Sequence, residues 1–288
     1  MSGTETIAQT GMRQFKEKNG AKLPAVIIGI IVYEILVSLF LFWIIRGYGV
    51  GEDGAVIKLA LFLVLTPPGV VGIWIAGYLA RARTAFWKAF ALENGWTYAQ
   101  VADLSKETGV MFTKSSKFMK PLTSKRAANV VTGAWENRPA RIFEYAFTLG
   151  SGKGSETFHY TVFEFTFTGS FPHLYLNRRG DGYDLDPGDT VPLPAEFEKQ
   201  FHLFAPKQYE VEALEIFTPD ALSYLLEVKW PYDLELVDKR LIVYLKSHIG
   251  SGMQLAAEWH RAKTLAARLA PVLDRVSYHP VGTHTPSL

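Results

Sequence analysis

The chain has 288 residues, 48% hydrophobic and 20% charged, with 30 basic against 28 acidic side chains and a net charge of +2. So small an imbalance gives no global attraction to nucleic acid. Cysteine is absent, which excludes a disulfide scaffold, a zinc–thiolate centre and a thiol nucleophile. The mean hydropathy of +0.07 is high for a soluble chain, and the excess is concentrated near the N-terminus.

Residues 1–22 form a basic tail carrying Arg13, Lys16, Lys18 and Lys22. Residues 23–45 then read LPAVIIGIIVYEILVSLFLFWII, with Glu34 as the only charge. A helix of that length crosses about 30 Å of hydrocarbon. Residues 56–80 form a second apolar run, with Lys58 as its only charge, near enough to one end to snorkel. The ten residues between them, RGYGVGEDGA, are short enough to force an antiparallel hairpin over 23–80. Trp43, Tyr48 and Tyr78 fall at the interfaces, where amphipathic rings settle. The first run is longer than a signal-peptide core, and no small-residue cleavage site follows it. It reads as a retained anchor. Basic residues flank both outer ends of the hairpin, including Arg81, Arg83 and Lys88, while the loop opposes Arg46 with Glu52 and Asp53. The positive-inside rule therefore predicts both termini in the cytoplasm of a multi-pass protein.

Glu34 falls near the bilayer centre, where an ionised carboxylate costs about 2.5–3.5 kcal/mol on insertion scales. The facing depth of the second run carries Thr66, Pro67 and Pro68. The prolines free carbonyls one turn earlier, so Glu34 is expected to face them and Thr66, either as a structural hydrogen bond or as a proton- or ion-responsive element.

Residues 81–278 are expected to form a cytoplasmic α+β domain, mostly antiparallel, with a packed C-terminal helix. Residues 83–94 read as a helix ended by Gly95, and 96–99 as strand. Between Thr108 and Trp135 there is no acidic residue, while Lys114, Lys117, Lys120, Lys125 and Arg126 interleave with Phe112, Phe118 and Met119. That segment reads either as a solvated loop or as a contact with anionic lipid headgroups.

Residues 140–149 and 156–168 are rich in aromatic and β-branched side chains and flank GSGKGS, a hairpin signal. GSGKGS is not a phosphate-binding P-loop: Phe147 stands where that motif needs glycine, and Gly154 follows the lysine. PHLYLN (172–177) and KQFHLFAP (199–206) are shorter strand candidates. DGYDLDPGD (181–189) departs from a calcium loop, because Gly188 replaces a ligand, and reads as a solvated acidic turn. TPDALSYLLEV (218–228) predicts a helix capped by Thr218 with Pro219 at its first position. YDLELVDKRLIVYL (232–245) predicts a second hairpin turning at Asp238–Lys239. In the last helix, 252–277, Leu255, Trp259, Ala262, Ala266, Leu269, Leu273 and Val276 form one apolar stripe, which lays it over a sheet. Residues 279–288 read as a disordered tail.

The seven histidines show no paired ligand spacing. His159 shares strand parity with Phe163, Phe165 and Phe167 and is expected as a packed core residue. No catalytic, metal or cofactor motif is found, so no cofactor or metal is expected.

ENGWTY (93–98), GSGKGSETFHYTVFEF (150–165), FTPDALSYLLEV and LELVDKRLIVYL resemble a group of uncharacterised bacterial membrane proteins. These carry a two-helix membrane anchor and a cytoplasmic domain of unknown function. The resemblance covers 84–249, implies the bacterial plasma membrane, and transfers no catalytic residue.

These features predict a membrane-anchored binding or scaffold module. Its expected partners are the lipid bilayer, anionic headgroups, a protein partner or a second copy of the chain, and not nucleic acid. The alternatives are a membrane-surface enzyme assembled from distant residues, or an accessory subunit of a transporter or channel, for which a ring of Glu34 residues would be the sign.

Overall fold

The computed structural model describes residues 22–48, 77, 80–104, 122–180 and 189–276. The second apolar run apart from residues 77 and 80, most of the acidic turn and the C-terminal tail lie outside them. The chain divides into two compact units, Met1–Ala89 and Phe90–Leu288.

In the first unit, α1 spans Lys22–Tyr48, 27 residues, or about 40 Å at 1.5 Å per residue. Pro24 falls in its first turn, where a missing N–H costs nothing. Side chains of α1 are described at 28–29, 31–40 and 42–43. Among the described residues no helix is long and apolar enough to cross a membrane. A membrane crossing by 23–45 is an expectation of the sequence alone.

The second unit is α+β, with a seven-stranded sheet that is antiparallel at every pairing. Helix α2, residues 80–93, leads into it and ends as expected: Gly95 takes φ +67°, and the N–H groups of Asn94, Gly95 and Trp96 return to carbonyls of the last turn. The strands are β1 (Thr97–Ala102), β2 (Leu122–Trp135), β3 (Arg138–Leu149), β4 (Glu156–Arg178), β5 (Thr190–Val191), β6 (Phe201–Phe204) and β7 (Asp233–Leu245). They lie in the order β1-β2-β3-β4-β6-β5, with β7 on the other edge of β4. Short helices α3 (Ala195–Glu198) and α4 (Glu210–Ile216) precede α5 (Pro219–Glu227), and α6 spans Gly252–Leu273.

The predicted GSGKGS hairpin is present, in register from Leu149↔Glu156 to Ala140↔Phe165. Two strand expectations need correction. PHLYLN is not a separate strand but the second half of the 23-residue β4. Residues 232–245 are not a hairpin: β7 is one strand of 13 residues that pairs β4 from Thr161↔Leu245 to Leu176↔Leu234. Asp238, read from sequence as a turn, takes φ +57° and sits at a bulge, where the register shifts near Phe171. A bulge inserts one residue and exchanges the faces beyond it. Val237, Ile242 and Tyr244 therefore share one core despite their mixed parity, as do Tyr160, Val162 and Tyr175 on β4. Pro172 lies in the disrupted stretch of β4, where a missing N–H breaks no ladder.

Strand β2 escapes a periodicity reading for the same reason. Asn129 takes φ +51° at a register shift between Ala128 and Val131, so Ala127 and Val130 both reach the core. Glu136 and Asn137, both at positive φ, join β2 to β3 by a two-residue turn.

Helix α5 starts as predicted, with Ala221 N–H donating to Thr218 Oγ1 at 3.3 Å. On α6, Ser251 caps Gln254 N–H at 3.2 Å, and the predicted stripe is buried from Leu255 to Leu273. The Trp259 ring stacks on Phe165 at 5.2 Å and meets Trp96 edge-on at 5.2 Å, which lays α6 over the sheet. The helix ends at Leu273, short of the predicted Ser277. Gly169 makes the close approach there: a Cβ on it would stand 2.0 Å from the Leu273 carbonyl oxygen and 2.5 Å from that of Val276.

Asp274 locks this end. Its Oδ2 accepts from Arg138 Nη2 at 2.5 Å, and its Oδ1 accepts from Thr168 N–H at 3.3 Å. The Arg138 hydrogen bond holds the Asp274 carboxyl below its ordinary value, with Thr168 acting in the same direction against partial burial. A depressed folded-state pKa contributes stability above the unfolded pKa and loses it as pH falls through the folded value. Urea unfolding from about pH 5 to pH 2 should destabilise the wild type more than Asp274→Asn; parallel pH curves would remove this contribution.

Candidate functional site

Of the sequence-predicted site residues, Glu34, Lys125 and Arg126 are among those described; Thr66, Pro67, Pro68, Lys114, Lys117 and Lys120 lie outside them. Glu34 is half-buried and Val37, one turn on, is buried, while the other described side chains of α1 are exposed. Glu34 Oε1 is buried without a hydrogen-bond partner among the described residues.

Lys125 and Arg126 lie on β2, not in a loop. Alternation places them on opposite faces. Lys125 opposes Phe147, on the core face, and Arg126 opposes Ala146. The Arg126 face is ordered by three cross-strand rows. The first is Ser124, Thr148 and Thr157; the second is Arg126, Ala146 and His159; the third is Ala128, Glu144 and Thr161. His159 corrects the expectation of a packed core residue. It is exposed, and its ring lies 4.3 Å from that of His248, because the core on this face begins only at Thr161 and Phe163.

A polar chain, buried at Asn129 and Glu144, leads to His248. Tyr98 Oη donates to Asn129 Oδ1 at 2.8 Å, and Asn129 Nδ2 donates to Glu144 Oε2 at 2.7 Å. Glu144 Oε1 stands 3.7 Å from His248 Nδ1. Residues so far apart in the chain offer no local motif; only the bulge at Asn129 and the strand register assemble them.

A second polar cluster lies where β4 meets β7. Glu235 is fully buried. Its Oε1 pairs with His173 Nε2, and its Oε2 accepts from Tyr244 Oη at 2.5 Å. Beside it, Asp233 accepts from Tyr175 Oη at 3.0 Å and from Arg178 N–H at 2.6 Å. Burial, then the neighbouring carboxylates, push both phenols well above their ordinary range, so Tyr175 and Tyr244 remain donors. At the same sheet face Glu164 accepts from Arg141 Nη2 at 2.7 Å and stands 3.6 Å from Arg240. His173 keeps 36% side-chain exposure and connects this buried network to the surface.

Among the described residues no group of three or more His, Asp or Glu side chains is placed to hold a metal. A cavity of about 300 Å³ lies elsewhere, against β5 and β6, lined by Thr190, Leu193, Glu198, Phe201 and His202 among others.

No protein-family model matches the chain, and no curated protein matches it. Among solved structures, the chain is similar to the crystal structure of the mycobacterial trehalose monomycolate transport factor A, TtfA, with 15% identity and a TM-score of 0.48, covering 69% of this chain and 97% of that one.

The β4–β7 cluster has a measurable weight. Glu235→Ala strands the buried Tyr244 hydroxyl and leaves the half-buried His173 without its carboxylate, and should cost about 3 kcal/mol in chemical denaturation. Glu235→Gln, which keeps an acceptor for Tyr244, should cost less. Equal losses would show that packing, not the hydrogen bonds, sets the energy.

Proposed function

We propose that the protein is a membrane-anchored binding module of the bacterial plasma membrane, with both termini in the cytoplasm. Its α+β domain recognises a lipid or protein partner. The observation that carries this reading is the surface of α1. Ten large apolar side chains, from Ile28 to Trp43, stand 39–65% exposed around it. Leaving them in water forgoes on the order of 10 kcal/mol of burial, comparable to the whole stability of a domain. Such a surface calls for a lipid solvent or an equally apolar partner. The basic flanks on either side of 23–80 set the orientation.

Alkaline carbonate should leave the full chain in the membrane pellet and release a version lacking residues 1–80. Reporter fusions after Ser124 and after Leu288 should be active only with a cytoplasmic reporter. Release of the full chain, or an active periplasmic reporter, would sink the anchor or its orientation respectively.

Within that anchor, Glu34 fits a polar contact to Thr66 and the carbonyls freed by Pro67 and Pro68. It shares with Val37 the least exposed side of α1, and its buried oxygen needs a partner. Cysteines at 34 and 66 should crosslink in membranes, and Glu34→Gln should be tolerated better than Glu34→Leu. Crosslinking from other faces of α1, but not from 34, would rule out this geometry.

A further inference from the structure

We propose that the exposed sheet face around Ala146 is a binding site for a phosphate monoester group, with Arg126, His159 and His248 as its principal ligands. The inference builds on the proposed headgroup contact but replaces a diffuse basic segment by a defined site.

The register brings the donors together. Arg126, Ala146 and His159 form one row across β2, β3 and β4, and His248 stands against His159 at 4.3 Å between rings. Neighbouring strands are about 4.8 Å apart, so Arg126 and His159 are anchored roughly 10 Å apart on either side of Ala146. Alanine, the smallest side chain of the row, stands between the residue that carries the guanidinium and the two that carry the imidazoles. One row nearer the hairpin, roughly 7 Å along the strands, Ser124, Thr148 and Thr157 supply hydroxyls on the same face. Thr148 and Thr157 are already within 2.9 Å of each other.

The charge balance on this face favours an anion. The carboxylate in these rows, Glu144, is buried. One of its oxygens is committed to Asn129 at 2.7 Å, and the other faces His248 Nδ1 at 3.7 Å. Its negative charge is thereby turned inward, toward Asn129 and one edge of the His248 ring. Arg126 is exposed and makes no ion pair with any described residue. A guanidinium with a free fork matches phosphate oxygens in a bidentate manner.

The phosphate could belong to a lipid headgroup or to a soluble phosphorylated molecule, and the test separates them. The full chain in neutral detergent is titrated with inorganic phosphate and, separately, with short-chain phosphatidic acid, using short-chain phosphatidylcholine as control. Saturable binding of phosphatidic acid alone assigns a lipid source; binding of phosphate with equal or greater affinity assigns a soluble one. In either case Arg126→Gln and His159→Gln should each weaken binding by about tenfold, and Ala146→Glu should abolish it. Lys125→Gln, adjacent in sequence but on the opposite face, should leave it unchanged, with circular dichroism confirming that all four variants fold. Saturable binding of neither phosphate compound overturns the site. Equal losses from Lys125→Gln and Arg126→Gln also overturn it, while leaving the diffuse headgroup contact standing.

Discussion

The structure of the folded unit depends on one strand pair that changes face partway along. Strand β4 is central: β3 and β6 share one edge and β7 runs along the other. A strand of 23 residues would, if regular, keep each parity on one face throughout. The break around Gly169–Pro172, matched by Asp238 on β7, exchanges the faces. One aromatic core can then collect Tyr160 and Val162 from one half and Tyr175 from the other. The same exchange turns Asp233 and Glu235 toward that core. Their burial is tolerable because Tyr175, Tyr244, His173 and Arg178 supply donors. The acidic–tyrosine cluster is thus a consequence of the bulges, not an independent motif.

The break also determines what covers the opposite face. Gly169 admits the C-terminal carbonyls of α6 at a distance no side chain permits, and Ser170 N–H donates to Val276 O at 3.0 Å. Asp274 then ties the same end to Arg138 and Thr168. At the other end of the contact, Trp259 lies flat on Phe165 and is met by Trp96. Gly133 is required beside Trp96, because a Cβ there would stand 2.2 Å from the ring. Helix and sheet are fitted by two glycines and one tryptophan stack, features whose cost on substitution is steric and steep.

What was legible in the sequence follows the same division. Local, one-period signals read correctly: the Thr218 cap, the Gly95 stop, the GSGKGS hairpin and the α6 stripe each depend on a few adjacent residues. Where two periods meet, the reading fails. Asp238 reads as a turn because hydrophobic alternation restarts after it, and a bulge produces that same restart. The split of β4 into two candidate strands has the same origin at Gly169 and Pro172. In β2 the bulge at Asn129 hides a 14-residue strand inside an acid-free segment that reads equally well as a loop. Parity assigns His159 a face but not the depth at which burial begins, so the sequence reading buries a residue that is exposed.

The distinction between loop and strand changes the chemistry open to Arg126. In a solvated loop, neighbouring basic residues act as interchangeable point charges, screened within about 8 Å at physiological salt. On a strand, adjacent residues are separated by the thickness of the sheet, so Lys125 and Arg126 no longer serve one ligand. Arg126 acquires fixed neighbours instead: Ala146 beside it, then His159, then the imidazole of His248 held near Glu144. The register fixes where these side chains are anchored on the sheet, so they converge on one ligand instead of acting as scattered charges. The bulge at Asn129 adds to this order, because the same residue that breaks the strand parity hydrogen-bonds Glu144 beneath the site. Backbone irregularity, buried carboxylate and surface donors are therefore one connected arrangement, and a change at Asn129 would reach the surface through Glu144 and His248.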